Sequence, residues 1–127
     1  MERDAMIVAG IGLRAAATAE ALDAALTATG QAPDTLACLE TKATPALRDM
    51  ARARALPLTL LTEAEIAGIE TPTRSARILA RFATGSVAEA AALAALRKTG
   101  HEARIIAPRV TSPCGRVTVA LAQGRPI

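Results

Sequence analysis

Runs of apolar residues alternate along the chain with segments whose apolar positions recur every three or four residues, and this alternation predicts strands and helices in turn. Ala5 to Ile11 is an apolar run bounded by Gly10 and Gly12, the pattern of a strand buried on both faces of a parallel or mixed sheet. Ala21, Leu22, Ala25 and Leu26 then repeat at helical spacing within Thr18 to Thr29, and Gly30 stands where a left-handed helix cap belongs. After Pro33-Asp34 a second short strand, Leu36 to Leu39, leads into Glu40-Thr41-Lys42. Thr44-Pro45 is a helix start, because proline at the first helical position loses no intrahelical hydrogen bond. Leu47, Met50, Ala51 and Arg54 follow on one face.

Leu56 to Leu61 reads as the third strand, with Thr62-Glu63-Ala64-Glu65 as a capping box that opens a brief helix to Ala67. Gly68 to Arg74 is a polar loop entering a helix from Thr73 to Phe82. Ser86-Val87-Ala88-Glu89 is a second capping box, opening a helix to Lys98 that Gly100 closes, with His101 on the turn beyond. Arg104 to Ala107 and Arg116 to Leu121 are the last strands, and the loop Pro108 to Gly115 lets them run antiparallel. The chain is thus an α/β fold with a mixed sheet of about five strands covered by helices on both faces. Its 127 residues suffice for one hydrophobic core, so 1–127 is read as a single domain.

Composition narrows the function. Hydrophobic residues make up 51% and charged residues 21%, a globular balance, and the apolar share is mostly Ala and Leu, so helices should pack closely through small side chains. Phe82 is the one aromatic residue, which argues against the stacking platforms of proteins that bind RNA or single-stranded DNA. A net charge of +3 is too small to point to duplex DNA but favours an anionic small molecule. No apolar run approaches the length of a membrane span, and Met1-Glu2-Arg3-Asp4 lacks the basic-then-apolar pattern of a signal peptide, so a soluble cytoplasmic protein is expected, with no membrane or nucleic-acid partner. Cys38 and Cys114 have no metal-ligand spacing, and Cys38 reads as a buried strand residue.

Ligands of open α/β sheets bind outside the carboxyl ends of the strands. Arg14 follows the first strand, Lys42 the second and Arg109 the fourth, so parallel strands would gather them on one rim as an anion site. Each alone reads equally as a solvated charge. Gly10-Ile11-Gly12 begins a dinucleotide fingerprint but Ala15 stands at the third glycine, and a tight strand-to-loop turn explains both glycines as well. His101, the sole histidine, has no spaced companions for a metal site. Ser112 and Thr111 beside Arg109 could hold a carboxylate or position a water, with loop capping as the plainer role, and no His-paired nucleophile can be drawn. Ser86 and Glu89 are explained as capping residues, although that helix start also suits an anion.

The sequence resembles the CobE and CbiG C-terminal family of cobalamin (vitamin B12) biosynthesis over nearly its whole length. The likeness lies in Val8-Ala9-Gly10-Ile11-Gly12 with Arg14, in Thr41-Lys42-Ala43, in Leu56-Pro57-Leu58 with Thr62-Glu63-Ala64-Glu65, in Gly85 to Leu93, and in Val117-Thr118-Val119-Ala120. It departs at Leu13 and Ala15, where relatives carry a cysteine or a further basic residue, and at Thr111, where a lysine is expected. The resemblance implies a three-layer α/β/α sandwich and, as ligand, a precorrin or other corrinoid intermediate whose carboxylates Arg14, Lys42 and Arg109 would hold. Gly10 and Gly12 would form the close-approach wall, with Ser86 or Ser112 assisting. No separate cofactor is expected. Longer relatives open the lactone of cobalt-precorrin-5A and release an aldehyde, so help with precorrin-5 lactone opening and deacylation is an extension of the same reading. The alternative is a non-catalytic module docking on another cobalamin-pathway enzyme through the Ala90 to Leu96 helix face. A nucleotide binder using the Gly10–Gly12 loop is a third reading.

Overall fold

The computed structural model describes residues 5–126; Met1 to Asp4, and the expectation drawn from them, lie outside the described residues. The elements in order are β1 (Met6–Leu13), α1 (Ala19–Ala28), β2 (Thr35–Leu39), a 3-10 turn at Glu40–Lys42, α2 (Pro45–Ala53), β3 (Leu58–Leu61), α3 (Glu63–Ile66), α4 (Ala76–Phe82), α5 (Val87–Lys98), β4 (His101–Thr111) and β5 (Val117–Pro126). They form one five-stranded sheet in the order β3-β2-β1-β5-β4. β1, β2 and β3 are parallel, and β5 runs antiparallel to both β1 and β4. The sheet is therefore mixed, with helices on both faces as the sequence predicts.

Alternation along the strands divides the interior into two cores. Ala9, Ile11 and Leu13 of β1, Leu36 and Cys38 of β2, and Val117, Val119 and Leu121 of β5 join Leu22 and Leu26 of α1 and Leu47 and Met50 of α2 on one face. Val8, Ala37, Leu39, Leu61 and Ala122 join Ile66 and the alanines and leucines of α5 on the other. α1 and α2 are clamped by Arg54, whose Nε donates to Asp23 at 2.6 Å while Nη2 donates to Thr27 Oγ1 at 2.6 Å. Thr18, Thr44, Thr62, Ser75 and Ser86 each cap a helix with a side-chain oxygen.

Four differences from the sequence reading have physical causes. First, β1 continues through Leu13, so Gly10 and Gly12 pair with Ala120 and Thr118 of β5 inside a strand, and the loop starts only at Arg14. A glycine loop for nucleotide phosphates is thus not formed. Second, α4 starts at Ala76 and not Thr73, because Ser75 Oγ caps Ile78 N while Thr73 N donates to the Glu89 side chain. Third, β4 spans His101 to Thr111, absorbing both the supposed turn at His101 and the proline-bearing start of the supposed loop. As an edge strand it carries exposed polar residues and tolerates Pro108 in an irregular stretch, which hides its signal. Fourth, every residue of α5 from Ala88 to Leu96 is buried, so the face proposed for docking is core.

Gly10 explains how α5 lies so close. A Cβ at Gly10 would collide with the carbonyl oxygen of Ala88 and press on Cβ of Ala92, whereas at Gly12 it would meet only Thr118 Cβ at 3.7 Å. The close approach expected of these glycines is real at Gly10, and helix α5 occupies it. Gly10→Ala should lower stability by about 2 to 3 kcal/mol in denaturant unfolding, since the clash is with backbone. Gly12→Ala should stay within about 0.5 kcal/mol. Equal losses in the two variants would refute the packing account.

A candidate anion site at the strand ends

β1 and β4 end, and β5 begins, at the same rim of the sheet, because β4 is parallel to β1 and β5 antiparallel to both. Outside this rim lies an open cavity of about 500 Å3. Arg14 stands where β1 leaves the sheet, its N–H donating to the Arg116 carbonyl at 2.9 Å. Lys42 closes the 3-10 turn after β2, and Arg109 sits near the end of β4. α4 contributes Arg77 and Arg81 from one helical face, and Arg116 enters from the β4–β5 hairpin. Ile11, Leu13, Leu39, Ile78, Phe82 and Val87 give the cavity apolar walls, and the start of α5 reaches it through Ser86, Val87 and Ala88.

Six cationic residues thus line one cavity, and no Asp or Glu does. Arg81 is committed in part: its guanidinium donates to both carboxylate oxygens of Glu63 at 2.9 and 3.0 Å and lies 4.4 Å from the Phe82 ring centroid. Its hydrogen bonds hold the Glu63 carboxyl below the usual range. The other five, Arg14, Lys42, Arg77, Arg109 and Arg116, make no ion pair among the described residues. Cations gathered without counter-charge create a positive potential in the cavity.

Of the residues singled out in the sequence, Gly12, Arg14, Lys42, Ser86 and Arg109 line this cavity. Gly10 lies beneath α5, and Ser112 lines a different groove. Ser112 Oγ accepts from Val117 N at 3.2 Å and lies 3.2 Å from Cys114 Sγ, closing the hairpin turn. That groove, about 630 Å3, runs between the alanines of α1 and the β4–β5 face bearing Ala107, Val110, Val119 and Leu121. The Ser86 hydroxyl is buried and accepts from Glu89 N at 3.3 Å. His101 opens β4 at the far end from the cavity, with Nδ1 3.0 Å from Thr99 Oγ1.

The second capping box is only half formed. Glu89 is fully buried, and its carboxylate accepts from Thr73 N at 2.9 Å, Thr73 Oγ1 at 2.7 Å and Arg109 N at 2.7 Å, with none from the cap backbone. By contrast, Thr62 and Glu65 complete theirs, and Glu65 also receives Lys98 at 2.9 Å, which pulls its carboxyl below the usual range. Arg77, Arg81 and Arg116 escaped the sequence reading. The first two were findable as cations four residues apart on one helix.

The family model described as cobalamin synthesis G C-terminus matches residues 7–122. The chain belongs to this family. It is accordingly a protein of cobalamin biosynthesis. Among solved structures, that of CobE, a protein from the cobalamin (vitamin B12) biosynthetic pathway, superposes with a TM-score of 0.80 at 30% identity over 97% of this chain and 93% of that one. The cobalamin biosynthesis protein chiG from Agrobacterium tumefaciens str. C58 is similar at TM-score 0.70 and 34% identity, covering 91% of this chain and 96% of that one. A comparison with curated protein sequences found no match. The three-layer α/β/α architecture expected for the family agrees with the sheet and helices described above. Among the described residues no helix by itself is long and apolar enough to cross a membrane, and no cluster of three metal-ligating side chains occurs.

The two cysteines of this chain differ in environment. Burial pushes the Cys38 thiol up to about 11, with Arg48 opposing weakly. The exposed Cys114 thiol is lowered, first by its hydrogen bond with Ser112 and then by backbone and charge of Arg116. Iodoacetamide should therefore label Cys114 and spare Cys38 in the folded protein. Its pH–rate curve should move to higher pH in Ser112→Ala, as followed by mass spectrometry; an unmoved curve would discard the Ser112 contribution.

Proposed function

We propose that this protein binds a precorrin or other corrinoid intermediate at the strand-end cavity by its peripheral carboxylates. The observation that carries the reading is the cavity itself, with six cations around apolar walls and no acidic lining residue. A cyclic tetrapyrrole of this pathway is an apolar macrocycle fringed with acetates and propionates, so such a ligand offers the complementary pattern. Arginines grip carboxylates with two parallel hydrogen bonds and Lys42 acts as a point charge.

Binding is favoured over lactone hydrolysis by the chemistry of the nearest hydroxyls. Thr111 and Thr118, 3.5 Å apart, have no histidine or carboxylate within hydrogen-bond reach among the described residues, and the Ser86 hydroxyl serves the α5 cap. No activated nucleophile results. The protein on this reading holds or delivers an intermediate for other enzymes of the pathway.

Titration with hydrogenobyrinic acid, followed by tetrapyrrole absorbance, tests the proposal. A spectral shift with affinity that falls as salt rises is expected. Arg14→Ala and Lys42→Ala should each weaken binding by about 1.5 to 3 kcal/mol, the worth of a charge-assisted hydrogen bond. Arg104→Ala, which removes an equal charge from outside the cavity, should leave it unchanged. An unshifted spectrum with affinity weaker than about 1 mM, or wild-type affinity in both rim variants, would sink the proposal.

A further inference from the structure

The buried Glu89 carboxylate links two cation-bearing walls of the cavity that are far apart in sequence. Its oxygens receive Arg109 N at 2.7 Å on one side and Thr73 N and Oγ1 at 2.9 and 2.7 Å on the other. Arg109 needs this partner. The ladder between β4 and β5 jumps from Ala107↔Leu121 to Val110↔Val119, so Pro108 and Arg109 form a bulge opposite Ala120. The N–H of Arg109 leaves the ladder there and turns to Glu89, and the residue lines the cavity.

The second wall depends on the same group. α4 carries Arg77 and Arg81 but has no buried residue, so apolar packing alone does not fix its position. Polar ties do so instead: Ser75 N donates to the Gly85 carbonyl at 2.9 Å, Gly68 N to the Ala83 carbonyl at 2.8 Å, Arg81 pairs with Glu63, and Thr73, two residues before the Ser75 cap, is held twice by Glu89. Glu89 itself is set by α5, whose closely packed backbone and Ser86 cap leave it little freedom. The first-turn position of Glu89 also suits a carboxylate, since the helix dipole favours negative charge there.

We propose that Glu89 is a positioning residue that fixes the separation of the Arg109 wall from the α4 wall, and so selects ligands with carboxylates spread around a rim over ligands with carboxylates on one edge. This inference rests on the reading of the cavity as a carboxylate site. Glu89 touches no ligand itself. Replacing it with glutamine keeps the volume but turns an amide N–H₂ toward donors, which breaks at least one of the ties.

The test measures binding of two porphyrins by wild type, Glu89→Gln and Thr73→Val: uroporphyrin, with carboxylates on every side, and protoporphyrin, with carboxylates on one edge. Glu89→Gln should lose about tenfold in uroporphyrin affinity, on the scale of one charged hydrogen bond, while protoporphyrin affinity stays within about twofold. Amide exchange should quicken at Arg109 and along Ala76 to Phe82. Thr73→Val should quicken exchange in α4 alone and give a smaller loss of the same preference. A folded Glu89→Gln protein in which both affinities are unchanged, or fall by the same factor, overturns the proposal and leaves the cavity reading standing. Wild type that binds neither porphyrin removes the cavity reading and this inference with it. Should Glu89→Gln not fold, Thr73→Val decides, and an unaltered preference there overturns the role.

Discussion

The approach of α5 to β1 is the contact from which the rest of the molecule is arranged. A strand residue without a side chain, Gly10, admits the backbone of Ala88, and a helix of small residues exploits the space along its whole inner length. Because α5 is buried from Ala88 to Leu96, its position is set by packing and not by surface polarity. Its first turn then falls at the sheet rim where three strand ends converge. The cap at Ser86, the carboxylate at Glu89 and the cavity wall at Val87 and Ala88 all take their places from that one approach.

Mixed strand direction does the remaining work. In a wholly parallel sheet the crossover before a last strand would bring its start to the opposite rim. Here β5 is antiparallel, so a hairpin turns at the same rim and delivers Arg109 on one limb and Arg116 on the other beside Arg14 and Lys42. The short α4 brings Arg77 and Arg81 over the opening from the other side. Charge is concentrated there although the chain as a whole carries only +3.

Much of this is legible in the sequence. Thr44-Pro45 and Thr62 to Glu65 dictated helix starts by local hydrogen bonding alone, and the α5 alanines announced close packing. Arg14, Lys42 and Arg109 could be gathered because strand ends share a rim in parallel sheets. What stayed hidden depended on partners distant in sequence. Glu89 looks like an ordinary cap residue until Thr73 and Arg109, 16 and 20 residues away, are brought to it. The middle of β4, Arg104 to Ala107, reads as strand, but its ends are concealed because it is an edge strand, leaving Glu102 and Pro108 exposed in stretches that read as turn and loop. Gly10 and Gly12 share a motif but not an environment, and only the helix above them tells them apart.

The unneutralised cavity also has a cost for the fold. Five arginine and lysine side chains without acidic partners repel one another across a space that water only partly screens, which works against the compact state. An anion bound as proposed would relieve this repulsion as well as make its own contacts. On the reading of the cavity as a carboxylate site, occupancy and folding would be coupled: polycarboxylates would stabilise this domain through mass action, and most strongly at low ionic strength.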